Sequence, residues 1–192
     1  MNPELQAVCD GYRARLAGRP VEWCRLHPRG DDHAWSPQQL VEHLVLAMRS
    51  SAQVLEARIE KGRPSRANAT LIQGLRRTAV LTFRRLPRGI PAPPFVRPGQ
   101  LDWPPMDGSA LVSRFYSEVE STARVLTVFA ESFGNSRAAS HFLLGPLSAE
   151  EWRRFHVIHC RHHLAQLRRI ESAIGPAAPD EPAADRATAS VF

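Results

Sequence analysis

With 192 residues, 43% hydrophobic and 23% charged, the chain has the length and composition of one globular domain, not of a disordered or membrane-embedded protein. No apolar run reaches the ~18 residues of a membrane span, and Met1-Asn2-Pro3-Glu4-Leu5 lacks the basic-then-apolar pattern of a secretory leader, so a cytoplasmic location is expected. The net charge of +6 admits an acidic partner, but every basic residue except Lys61 is arginine, and clusters such as Arg76-Arg77 and Arg84-Arg85 lack interleaved aromatics, so nucleic acid is not expected to bind.

Asn2-Pro3 can start a short helix running to about Ala17, with Leu5, Val8, Cys9, Tyr12 and Leu16 on one side. Gly18-Arg19-Pro20 breaks it, and a polar stretch follows through Asp32. Ser36-Pro37 with Gln39 forms an S-x-x-Q capping box that opens a second helix reaching about Ile59. Its apolar stripe is Leu40, Leu44, Ala47, Ser51, Val54 and Leu55, and His43 lies inside it. A third helix is expected over residues 69–85. The Pro-rich run from Pro87 to Pro105 then excludes helix and ladder pairing and reads as a long, stiff connection. A fourth helix spans about Ser109 to Phe133, stopped at Gly134. Ser148 and Glu151 box the start of a fifth helix, which ends at Gly175-Pro176 and turns Trp152, Phe155, His159, His163, Leu167 and Ile170 inward.

No segment alternates with period two, so the expected fold is all-α, with the long helices packed around one core. The domain is expected over 1–175. Residues 176–192, rich in Ala, Pro and Asp, read as a disordered tail. Cys9, Cys24 and Cys160 are odd in number and form no C-x-x-C, which argues against a disulfide framework. Cys160 is expected to be a buried thiol, pointing about 100° away from its neighbour His159.

Four histidines fall within eight residues: His156, His159, His162 and His163. His159 and His163 are spaced i, i+4, so on a helix they point the same way one turn apart and can grip one ion. A third ligand must come from elsewhere, and His43, on the core side of another capped helix, is the best candidate. The alternative is that these are core histidines with hydrogen-bonded nitrogens. His156 is an alternative ligand, although seven residues, about 10.5 Å of axis, separate it from His163. His162 is expected outward or at an interface. His141 can cap a loop, line a cleft or be exposed. Gln166 can support a ligand from behind or face solvent. Glu42 reads as a surface residue, and Glu150 and Glu151 as helix-start charges.

The segments Trp35-Ser36-Pro37-Gln38-Gln39-Leu40-Val41-Glu42-His43-Leu44 and Ile158-His159-Cys160-Arg161-His162-His163-Leu164-Ala165-Gln166-Leu167 resemble the two histidine-bearing segments of the DinB-like superfamily. The run from His141 to Trp152 is similar to a bacterial branch of it classed as a domain of unknown function. The resemblance covers roughly residues 30 to 172. It implies a four-helix bundle, here with a long Pro-rich connection and an extra N-terminal helix. It also implies that the positions matching His43, His159 and His163 hold a divalent metal ion, zinc or nickel.

Three protein ligands leave a coordination position open, the pattern of a catalytic site. The resemblance implies a metal-dependent transferase using a low-molecular-weight thiol, or a hydrolase, acting on a small molecule. The alternative is a non-catalytic metal-binding bundle that works as a homodimer or interaction module. No G-x-S-x-G, P-loop or H-E-x-x-H occurs. Arg161 and the arginines near Pro87–Arg97 are candidates to overlook the cleft and hold an anionic cofactor.

Overall fold

A computed structural model describes residues 2–28, 34–87 and 91–175. Within them the chain is mostly helical, with one small two-stranded sheet. In order come α1 (Pro3–Leu16), α2 (Val21–Arg25), α3 (Pro37–Glu60), α4 (Leu71–Phe83), a 3-10 turn (Pro94–Val96), α5 (Gly108–Phe133), β1 (Ala139–His141), β2 (Gly145–Leu147) and α6 (Ala149–Ile174). The expected tail, 176–192, lies outside the described residues. No helix among those described is long and apolar enough to cross a membrane.

The start signals do what their chemistry predicts. Ser36 with Gln39 and Ser148 with Glu151 form complete capping boxes, satisfying amide donors that a helix start leaves open. Thr70 with Gln73 forms a third, which starts α4 at Leu71 instead of at residue 69. The Asn2 side chain accepts from the Glu4 amide, and Asp107 does the same for Ala110 at the head of α5.

Two short elements depart from expectation. The polar stretch after Pro20 contains the single-turn α2, whose Trp23 and Cys24 are buried. A three-residue hairpin, with Ser140 opposite Pro146, precedes α6. Neither is long enough to show a period in sequence. The Pro-rich connection also holds one 3-10 turn, closed by two i→i+3 bonds, from the Val96 amide to the Pro93 carbonyl and from the Arg97 amide to the Pro94 carbonyl.

The core has two parts. The larger joins α1, α2, the first half of α3, the first half of α5 and the second half of α6, with Tyr12, Leu40, Leu44, Leu111, Phe115 and Leu167 among its members. The smaller gathers Leu55, Val80, Phe129, Leu147, Trp152 and Phe155. Leu40 thus shares a cluster with Leu167, and Leu55 with Trp152, so α3 and α6 run antiparallel. The N-terminal helix, expected as an addition, is part of the core: Leu5, Val8, Cys9, Tyr12 and Leu16 are all buried, and the Tyr12 hydroxyl donates to the Cys160 carbonyl at 2.8 Å. By contrast α4 buries only Val80 and Leu81.

Candidate metal centre

The antiparallel run of α3 and α6 sets His43 against His159 and His163. All three are buried, and one ring nitrogen from each lies within 4.8 Å of the others. The Nε2 of His159 is 3.3 Å from that of His43 and 3.1 Å from that of His163. A tetrahedral ion with imidazole nitrogens at ~2.0–2.1 Å sets those nitrogens about 3.3 Å apart. The two edges that meet at His159 therefore have the length found in a metal site.

The outer nitrogens decide where the lone pairs point. His43 Nδ1 is 2.7 Å from the Val96 carbonyl, which only accepts, so the proton sits on Nδ1 and Nε2 presents a lone pair. His163 Nδ1 is 2.8 Å from Gln166 Oε1, with the same result. Two lone pairs thus face the third imidazole, and a cation is the partner that satisfies such a cluster. Gln166, half-buried, thus stands behind His163.

Burial, reinforced by the neighbouring imidazoles, holds His159 well below the usual histidine range. It also lowers His43, and with the help of His43 it brings His163 down to about 3. The rings are therefore neutral at pH 7, the form that coordinates metal. Two aromatic rings fix their orientation. Phe155 stacks on His159 at 5.5 Å between centroids, and Trp35 packs on His43 at 4.8 Å.

Glu42 is not the surface residue that the sequence suggested. It is 5% exposed, and its Oε1 accepts from the backbone amides of Gly99, Gln100 and Leu101 at 2.8–3.0 Å. A helix position beside His43 thereby anchors the Pro-rich connection, whose Val96 carbonyl orients His43. Glu150 and Glu151 do lie at the start of α6, where Glu151 closes the capping box and also pairs with Arg137.

The cluster opens into a cavity of about 620 Å³, the size range of small-molecule sites. The stripe of α3 continues into its wall: Ala47 and Val54, expected in the core, line it. His141 lines it too, buried on β1, with Nδ1 accepting from the Leu143 amide at 3.1 Å so that Nε2 carries the proton. Burial, with a contribution from His156, lowers His141 to about 3. His162 lies at the edge of the same cavity. His156 is outside the three-histidine cluster; it is buried and neither ring nitrogen has a hydrogen-bond partner. His159 Nδ1, Trp152 Nε1 and Ser140 Oγ are likewise buried without a partner.

Arg161 does not overlook the cavity: it reaches Glu4 at 3.4 Å, on the side of α6 that faces α1. Arg97 is turned back onto the Ala92 carbonyl, and Arg88 lies outside the described residues. Among the described residues the arginine that lines the cavity is Arg169, one turn beyond Gln166. Its position, i+7 from His162, was readable from helical spacing; the Val96 carbonyl, a backbone group, leaves no sequence signal. Cys9, Cys24 and Cys160 are buried free thiols, and for Cys160 that was expected.

Comparison with known proteins returns no matching curated protein and no matching solved structure. Residues 25–170, more than half of the chain and including all three clustered histidines, match the profile of the family described as Protein of unknown function (DUF1569), and the chain belongs to that family.

Proposed function

We propose that this protein is a metal-dependent enzyme of the DinB-like kind, in which His43, His159 and His163 hold one divalent ion, zinc or nickel. On this reading α1, α3, α5 and α6 are the four helices of the bundle, with α4 and the Pro-rich connection covering one side. The observation that carries the proposal is the convergence of three Nε2 atoms with two outer nitrogens committed to acceptors.

A divalent ion there supplies a Lewis acid that favours deprotonation of a bound water or thiol at neutral pH. Held by three protein ligands, such an ion would remain open to a further ligand. The substrate is a small molecule, in keeping with the cavity volume. Among the described residues no carboxylate lines the cavity, and its imidazoles are the groups placed to move a proton. His141 presents an Nε2–H and acts as a neutral hydrogen-bond donor. The reaction class is transfer of a low-molecular-weight thiol, with hydrolysis as the outcome when water takes the open position.

A second reading, a non-catalytic metal-binding module acting as a homodimer or docking surface, draws on α4, where Leu71, Ile72, Leu75 and Phe83 are exposed. Cobalt substitution separates the two. The cobalt protein should bind one ion per chain, and added thiol should raise a sulfur-to-metal charge-transfer band that is absent in His159→Ala. One bound ion that is blind to every common thiol would remove the transferase reading. Binding lost in His156→Ala but retained in His159→Ala would show the ligand set to be wrong.

A further inference from the structure

The cavity has a direction. Along α6 its wall runs from Trp152 to Arg169, roughly 25 Å of helix axis, with the three-histidine cluster between the two ends. On the Trp152 side the wall is mainly apolar, with Val54, Leu86, Phe95, Phe142, Leu143 and Phe155 around the polar His141 and Ser140. On the other side stand Trp35, His162, Gln166 and Arg169. Among the described residues the lining contains no aspartate and no glutamate.

We infer that the cavity takes a monoanionic ligand with an apolar body, its carboxylate or equivalent group held by Arg169 beside the histidine cluster. Three observations carry this. Arg169 pairs with no carboxylate among the described residues, although many other arginines of the chain do, Arg15, Arg19, Arg49 and Arg137 among them. Gln166 spends its carbonyl on His163 and so turns its amide nitrogen, a donor, to whatever lies beside it. Among the described residues the lining carries one guanidinium and no acid, a balance that favours anions over cations.

The phenyl rings of Phe95, Phe142 and Phe155 make an aromatic or aliphatic body the fitting companion of that charge. Phe95 and Phe142 meet edge to face at 5.9 Å where the Pro-rich connection approaches the hairpin. A ligand of this class lies along the cavity, with its charge at Arg169 and its body over the cluster towards Val54.

The inference uses the proposed metal site to say what the ligand passes over, but Arg169 recognises charge without the ion. The test separates the two. Binding of the phenylalkanoates from phenylacetate to phenylhexanoate, and of their neutral amides, is measured by calorimetry on zinc-loaded and on chelator-stripped protein. In both forms the carboxylates should bind about tenfold or more tighter than the amides, the worth of a charge-assisted contact. Arg169→Gln should abolish that preference while leaving amide binding and the melting curve unchanged, since the side chain is exposed.

Equal binding of acids and amides, a preference that survives Arg169→Gln, or failure of every phenylalkanoate to bind would overturn the inference. A preference seen only with zinc would assign anion binding to the metal and overturn it too. If no preparation binds zinc, the metal reading fails while the stripped protein still reports on Arg169.

Discussion

Glu42 and His43 are neighbours on α3, yet they grip opposite ends of one loop. His43 donates to the Val96 carbonyl, while Glu42 gathers the amides of Gly99, Gln100 and Leu101. Partners behind a ligating histidine typically govern metal affinity 10–100-fold. In Glu42→Gln the charge-assisted bonds become neutral ones, so zinc affinity should fall about tenfold with helicity unchanged. Titration against a competing chelator reads this directly, and unchanged affinity would mean the loop places Val96 without Glu42.

His156 supports a prediction about acid. Burial lowers it to about 4, whereas an unfolded chain protonates it near 6.5. Between those values the unfolded state binds more protons, so stability falls as pH falls, by up to about 1.4 kcal/mol per pH unit. Below about pH 4 both states carry the proton and the loss is complete. Urea denaturation of metal-free His156→Leu at pH 7 and pH 5 should show a smaller drop than wild type. At pH 7 the variant should be no less stable, because it removes an imidazole with no hydrogen-bond partner. An identical drop in both proteins would place the acid sensitivity elsewhere, with His141 and His163, each lowered to about 3, the next groups of the same sign.

Among the elements, the contact between α1 and α5 is the tightest test of packing. The Gly108 amide donates to the Arg19 carbonyl at 2.9 Å, and a Cβ on Gly108 would stand 1.6 Å from the Leu16 carbonyl oxygen. Backbone cannot yield as a side chain does, so Gly108→Ala must push the two helix ends apart. The cost should be about 1–3 kcal/mol, the range for overpacking, read as a clear fall in melting temperature. An unchanged melting curve would show that the junction shifts freely.

Helix starts were legible because a cap is a local hydrogen-bond problem solved within four residues, as at Ser36 and Ser148. The hairpin was not: its pairing of Ala139 with Leu147 is created by the turn and by packing on α4 and α6, and Pro146 sits inside β2. Nor did sequence rank the helices. The apolar positions of α1 are buried, while those of α4 at Leu71, Ile72, Leu75 and Phe83 remain exposed. Amphipathic spacing alone does not say which stripe finds a partner.

At the scale of the molecule, the proposed ion would join α3 to α6 through one ligand on the first and two on the second. Such a ligand binds the folded state and not the unfolded one, so it should raise stability by mass action. Zinc at 100 times its dissociation constant adds about 2.7 kcal/mol. Wild type should therefore melt at a higher temperature with zinc and lower with chelator, while His159→Ala should melt alike in both. A melting temperature indifferent to zinc in wild type would argue against a site formed by folding.

The sequence by itself determined the helical class, the extent of the long helices and the i, i+4 pair His159 and His163, because each follows from short-range periodicity and capping. It also singled out His43, which lies on the core face of a capped helix. Only the tertiary structure decided that the three Nε2 atoms meet, because that depends on α3 and α6 running antiparallel in a particular register. It alone drew Glu42 into a buried loop anchor, assigned Gln166 to His163 and put Arg169, not Arg161, on the cavity. These outcomes turn on which side of a helix faces a neighbour and on backbone groups such as the Val96 carbonyl, and one residue's identity encodes neither.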